Sequence, residues 1–381
     1  MQPPSILRWA IPSAIITIMF SGLLNADDRH YLITNNDLSQ GNSASLYEIN
    51  HDGTLRSPQV VPTRGTGVDG VGAVATKRVS LLKNSSQSCA FISDAGSVDV
   101  AGISVTNIHL TGTFKAASTD SAPSGIGVVN NGKYLYASFT GSGTLGTYQI
   151  LGNCSLHFIQ DIAAVGVNGA AILDMQVHGS ILVASFNDGS IESFNVSGGV
   201  PISNGDLQLS TANSQYGSFA AGVDITSDGH YAIFGGTNAP PLVEVSDISS
   251  GKLSPTVVYS NIGSGGGSEA IWLSPDESLL YLSNFSSNQV TAAFFDASSG
   301  GVTFGCTGTF RGIAFEAGLA TATQEGTGGT VYVIEPDTGI GYADVAKNSG
   351  TCSITEDSRS PDTNAFSSTV ESAASFPPRS F

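Results

Sequence analysis

Glu269-Ala-Ile-Trp-Leu-Ser-Pro-Asp276, followed by Leu279-Leu-Tyr-Leu-Ser-Asn284, decides the fold. An apolar run, a turn marked by Pro and Asp, and an alternating run that stops at a small residue read as two strands and their hairpin. The unit recurs. Ser124-Gly-Ile-Gly-Val-Val-Asn-Asn131 leads to Tyr134-Leu-Tyr-Ala-Ser-Phe139, and Ile172-Leu-Asp-Met-Gln-Val177 leads to Ile181-Leu-Val-Ala-Ser-Phe186. Gly222-Val-Asp-Ile-Thr-Ser-Asp-Gly229 leads in the same way to Tyr231-Ala-Ile-Phe-Gly235. Weaker copies end at Thr34, Ser93 and Ile334. The matching column is Thr34, Ser93, Ser138, Ser185, Gly235, Ser283 and Ile334, with steps between 45 and 59 residues and a mean of 50. Each unit runs on through an outward strand, such as Gln289-Val-Thr-Ala-Ala-Phe-Phe295, and a further one, such as Gly301-Val-Thr-Phe304. Four strands per fifty residues is the arithmetic of a propeller blade. The fold predicted is all-β, a seven-bladed β-propeller with four-stranded blades.

The first unit has no inner strand of its own, because it begins almost at His30-Tyr-Leu-Ile33. Phe366-Ser-Ser-Thr-Val-Glu-Ser-Ala-Ala374 follows the last outer strand with nothing else to pair with. It is expected to complete the first blade, so that the C-terminal strand closes the ring and removes its open edges. The first step of 59 places an insertion near Val68 to Gln87, read as a loop or an extended hairpin. A two-domain β-sandwich is the rival layout, and regular spacing through six steps argues against it.

Residues 1–26 read as a cleaved export signal, with Arg8 before an apolar stretch from Trp9 to Leu24 and a small residue, Ala26, before Asp27-Asp28. Residues 27–381 then form one propeller domain, secreted or periplasmic, with no membrane association after cleavage. The chain has 14 Lys+Arg against 31 Asp+Glu, a net charge of -17. Loss of Arg8 with the leader leaves 13 basic residues and a charge of -18. Without a basic cluster, nucleic acid is excluded as a partner. A monomer is expected, with an unknown small molecule or protein partner at the central channel.

Cys89, Cys154, Cys306 and Cys352 allow three pairings in an oxidising compartment. A bridge between Cys306 and Cys352 is not expected, because outer strands of adjacent blades should hold them beyond the ~7 Å Cα limit. Neither a C-x-x-C motif nor Cys beside His at ligand spacing occurs, so no metal and no cofactor is predicted. His51, His178 and His230 fall in turns and read as surface residues.

Ser274-Pro-Asp276 with Leu280-Tyr281 and Ser283-Asn284 resembles the lactonase-type seven-bladed propellers, the 6-phosphogluconolactonase-like and carboxy-muconate cyclising enzymes, and the related YVTN-type repeats. The resemblance implies a propeller over about 350 residues and lactone chemistry in its channel. The family glutamate before the turn is matched by Glu269. Phe285 stands where the family commonly has arginine. Ala221 and Gly222 stand where it often has arginine and histidine. Ring opening needs an activated water and a cationic group for the oxyanion, so the resemblance implies a site that has lost most of its parts.

Glu269, at the start of an inner strand, is the candidate catalytic acid. Asp174 and Asp224 occupy one level on adjacent inner strands, with Trp272 next in the column. They are candidate ligand contacts, since paired carboxylates can hold a cation or cap a neighbouring amide. Arg311, near a blade connection, is a candidate anion contact. These residues point to an exported propeller acting as a binding or scaffold module with a degenerate lactonase-type site. A lactonase-like hydrolase using Glu269 on a sugar or other lactone is the alternative.

Overall fold

The computed structural model describes residues 29–69, 77–209, 220–236, 241–263, 266–284, 287–311, 319–323, 329–335, 339–363, 369–370, 372–376 and 378. The export leader lies outside the described residues. Seven antiparallel sheets form an all-β propeller, each sheet one blade. The inner strands are Ser372–Phe376, Val79–Lys83, Ile126–Asn130, Ile172–His178, Ala220–Ile225, Ser268–Leu273 and Leu319–Thr323 for blades 1 to 7. Each packs beside the next around the central channel. Helix is confined, among the described residues, to one 3₁₀ turn at Gly152–Cys154, and no helix is long and apolar enough to cross a membrane.

The column of small residues explains how blades approach. It lies on the second strand of every blade, which neighbouring blades cover on both faces; Tyr31–Asn35, Ser88–Asp94 and Leu279–Asn284 are buried throughout. Apolar side chains on both faces of these strands form the core between blades. Outer strands keep the alternation of a half-exposed sheet, as Thr351–Glu356 does. At Gly235 any Cβ would lie 2.2 Å from the Ser268 carbonyl oxygen of the next blade, so only glycine fits there. Ser283, in the same column, instead accepts a hydrogen bond from the Ala270 amide of its own blade at 3.3 Å.

Closure follows the predicted scheme. Ser372–Phe376 pairs antiparallel with Tyr31–Asn35, from Tyr31 opposite Phe376 to Asn35 opposite Ser372. Blade 1 is therefore built from both ends of the chain. Blade 7 fastens to it as well, where the buried Tyr332 hydroxyl donates to the Gly53 carbonyl at 2.6 Å. The insertion lies earlier than expected. Blade 1 ends at Pro62 and the inner strand of blade 2 begins at Val79, inside the range assigned to the insertion. The first part of that connection turns back on blade 1, with the Gly67 amide on the Leu38 carbonyl and the Asp69 amide on the Asp37 carbonyl.

The cysteine expectation is overturned. Cys89 bridges Cys154, and Cys306 bridges Cys352 with a Cα–Cα distance of 5.5 Å. Glycine is the reason that adjacent sheets come so close. The blade 6 ladder slips a residue at Gly305, where a Cβ would lie 2.9 Å from the Cys352 sulfur. Gly102 plays the same part beside Cys154, whose carbonyl oxygen would lie 2.1 Å from a Cβ there. Both bridges staple one blade to the next, blade 2 to blade 3 and blade 6 to blade 7.

Removal of residues 364–381 should lower the melting temperature by about 10 °C or more, because the ring then opens and exposes unpaired strand edges. Differential scanning calorimetry of the truncated and full chains checks this. An unchanged midpoint would show that the seam does not carry closure.

Candidate functional site

The channel has two chemically different ends. At the amino ends of the inner strands, three consecutive blades carry a register shift. It falls between Ile172 and Asp174 in blade 4, between Ala220 and Val223 in blade 5, and between Ser268 and Ala270 in blade 6. Glu269 is the extra residue of the third. Bulges of this kind free a residue from the ladder and re-aim it. Ala221 and Gly222, in the family's arginine and histidine positions, lie in the second shift. The Glu269 side chain and Phe285 lie outside what the structure describes. Nearby, Arg78 is fully buried and ties three blades together. Its guanidinium meets Asp37 of blade 1 at 2.7 Å and the Ser124 carbonyl before blade 3 at 3.2 Å, while its amide donates to Ser372.

Asp174 and Asp224 are both buried, and each receives a backbone amide from the next blade: Val223 donates to Asp174 and Leu273 to Asp224, both at 2.8 Å. The Asp224 carboxylate also accepts from Gln176 at 3.2 Å and from the Ile225 amide. These contacts join blades 4, 5 and 6 along their inner strands. Asp174 has a further partner that the sequence did not suggest. Lys77, before the inner strand of blade 2, reaches across to it at 2.5 Å and also donates to the Val223 carbonyl. Burial pushes the Asp174 carboxyl up, opposed by the ammonium and the amide.

At the carboxyl ends of the inner strands lies a cavity of about 790 Å³. Lys77, Lys83 and Asn84 enter it from blade 2, Gln176 and His178 from blade 4, Asp224 from blade 5 and Trp272 from blade 6. Asn130 and Asn131 line it from blade 3, and both are bound into the framework. Asn130 donates to Ser80 and the Leu81 carbonyl, and Asn131 donates to the Gly179 carbonyl. His178 is half-buried at this mouth, not a surface turn residue, because it is the last residue of the inner strand of blade 4. A lining of Trp272, several aliphatic side chains and about as many polar ones suits a small polar organic ligand.

Arg311 lies elsewhere. It is half-exposed beyond the outer strand of blade 6 and clasps blade 7. Its amide and side chain donate to Glu356 at 3.0 and 3.1 Å, and its guanidinium donates to the Asp357 and Ser358 carbonyls. Among the described residues no group of three His, Cys, Asp or Glu side chains could hold a metal ion. A further buried acid ends the second strand of blade 2. Asp94 accepts from Asn42 at 2.7 Å and Thr63 at 2.8 Å, opposite Asp99. Burial, reinforced by Asp99 and opposed by those two donors, pushes its carboxyl up to about 8.

Neither a protein-family model nor a curated relative matches the chain in sequence. Solved structures do match in fold. A candidate 6-phosphogluconolactonase from Bacteroides fragilis superposes with a TM-score of 0.65 at 15% identity, over 91% of this chain and 98% of that one. The periplasmic gluconolactonase PpgL of Pseudomonas aeruginosa gives 0.62 at 15% identity, over 86% and 95%. The Cps50 (Swd1) propeller domain of Myceliophteria thermophila gives 0.53 at 9% identity, over 74% and 87%. The structure is thus a seven-bladed propeller with lactonase-type propellers among its structural neighbours, and at these identities the likeness is one of fold.

Replacement of Lys77 by Met should cost about 3 kcal/mol, because a buried carboxylate loses its counter-charge. The deficit should shrink as pH falls and Asp174 protonates, and Asp174→Asn in the same chain should recover part of it; urea unfolding of the single and double variants measures both effects. For Asp94, a folded pKa above the unfolded one means that its stabilisation is complete below about pH 4 and is lost as pH rises toward 8. Asp94→Asn keeps the shape of the protonated acid. It should therefore melt about 2 °C or more above the wild type at pH 8 and show no such gain at pH 4.

Proposed function

We propose that this chain is an exported binding propeller, monomeric, which holds a small molecule in the cavity at the carboxyl ends of its inner strands. The carrying observation is that cavity of about 790 Å³, the size of many small-molecule sites. Six blades line it, blade 1 through Ala374 and Ser375 of the C-terminal strand, so the ring must be closed for the site to be complete. The two inter-blade disulfides support export, since such bridges persist in oxidising compartments. The same features suit a scaffold role in which a protein partner sits at the channel.

Lactone hydrolysis is the second reading. The likeness to the Bacteroides and Pseudomonas propellers favours it, and so does Glu269 at a bulge on the channel wall. A base at Glu269 would need an oxyanion partner, and Ala221 and Gly222 offer only backbone. A phosphorylated lactone would also meet a chain of net charge -17.

A panel of sugar lactones run on the wild type and on Glu269→Gln, beside a thermal-shift screen of small molecules, tests both readings. The expected result is a ligand that raises the melting temperature of both proteins equally, with 6-phosphogluconolactone opened no faster than in buffer. Turnover well above the uncatalysed rate that collapses in Glu269→Gln would replace the binding reading with the enzymatic one.

A further inference from the structure

Blade 4 has a broken outer edge. Its third strand, Ser190–Asn195, pairs at one end with Ile202–Ser203 and at the other with Gln208–Leu209. In the other six blades one unbroken strand of four residues or more stands there. Between the two pieces the chain steps out of the ladder and is fixed in place. The Asp206 carboxylate accepts the Ser193 amide and hydroxyl at 3.3 and 2.8 Å, and the Leu253 amide of blade 5. The loop that enters blade 4 is held on the same edge. The Val167 amide donates to the Ser190 hydroxyl at 3.2 Å, and Ser190 stands opposite Leu209. At Gly166 a Cβ would lie 2.4 Å from that hydroxyl, so glycine lets the loop come down onto the strand.

Apolar side chains collect at this edge. Of ten large apolar side chains exposed among the described residues, five are Val165, Val167, Ile202, Leu207 and Leu209. Ile202 is 67% exposed, Leu209 54% and Val167 51%. Exposed strand edges are ordinarily blunted with charge, lysine above all. Here there is none: between residues 134 and 251 the chain has nine Asp and Glu and not one Lys or Arg. About half of the net charge of -17 therefore falls in less than a third of the sequence. Two of these acids adjoin the patch. Asp188 accepts the Asn168 amide, next to Val167, at 2.8 Å, and Asp206 precedes Leu207.

A fixed apolar patch of this kind marks an interaction surface, and its charge selects the occupant. A second copy of the chain would set -17 against -17, and an anionic membrane would be repelled in the same way. We infer that the outer edge of blade 4 docks a basic amphipathic segment of another protein, with apolar side chains on Val167 and Leu209 and Lys or Arg side chains beside Asp188 and Asp206. This surface is separate from the cavity, and the inference stands whether or not the cavity holds a small molecule.

The probes are a short labelled amphipathic peptide of Leu and Lys, a Leu and Glu peptide of the same pattern, and oligolysine. Fluorescence anisotropy at constant ionic strength should show saturable binding of the Leu/Lys peptide, much weaker binding of oligolysine and none of the Leu/Glu peptide. Val167→Ser with Leu209→Ser should weaken the Leu/Lys peptide about tenfold with an unchanged melting temperature. Val257→Ser with Phe304→Ser, which removes exposed side chains from the edges of blades 5 and 6, should leave its affinity unchanged. Hydrogen exchange of the complex should slow at residues 166–167 and 208–209. Equal weakening by the two pairs of substitutions, or oligolysine bound as tightly, reduces the attraction to net charge and overturns the docking site. Binding of the Leu/Glu peptide, or of no peptide, overturns the basic partner. A dimer in sedimentation velocity that Val167→Ser with Leu209→Ser abolishes gives the edge to a second copy and overturns it as well.

Discussion

Everything in this molecule depends on five residues near the end of the chain finding five near its beginning. The ladder between Ser372–Phe376 and Tyr31–Asn35 is a local set of backbone hydrogen bonds, but it converts a row of blades into a ring. Each blade buries its faces only against two neighbours, so a row would leave the apolar sides of blades 1 and 7 in water. The mixed core of Leu32, Tyr47, Tyr332 and Ile340 exists only because the two are adjacent. The cavity needs the same closure, since Ala374 and Ser375 of the last strand stand beside Val79 and Leu81.

The architecture was legible because the constraint that shapes it repeats. At Gly235 the next blade's inner strand passes too close for a Cβ, and Ser138, Ser185 and Ser283 stand in the same column at near-constant spacing. The lone partnerless strand at the C-terminus was readable for the same reason. The disulfide between Cys306 and Cys352 was not. It depends on a one-residue slip at Gly305, and a register slip leaves no trace in a periodicity argument. The site was legible only in part. Asp174 and Asp224 read as acids at one level, but the register sets Asp224 level with Gln176, two residues beyond Asp174, and the roles of both follow from amides of the neighbouring blade. Lys77 reaches its partner across a sequence distance of 97 residues, which no local motif encodes. His178 read as a turn residue because Gly179 follows it, but it is the last residue of the inner strand of blade 4. Its position at the channel mouth comes from the ring.

The two ends of the channel divide the labour between rigidity and recognition. At the amino ends, bulges and the buried Arg78–Asp37 pair fix how successive blades meet. At the carboxyl ends, the Asn130 and Asn131 side-chain amides are bound into the framework and so hold the cavity walls in place. The Lys77–Asp174 pair lies between these regions and joins opposite sides of the ring. A buried pair of this kind is a weak source of net stability but a strong constraint on geometry, because either partner alone would be a stranded charge.

The seam also has a direction. Tyr31 faces Phe376 and Asn35 faces Ser372, so the chain enters and leaves the ladder at the same end. A force applied through the two termini would load one rung at a time, from Tyr31 inward, instead of shearing all the rungs together. The closure that resists thermal opening through cooperativity is thus mechanically a zipper. Tension between anything tethered before residue 31 and anything tethered after 376 would open the ring at its first blade, while the stapled pairs of blades 2 with 3 and 6 with 7 stayed joined.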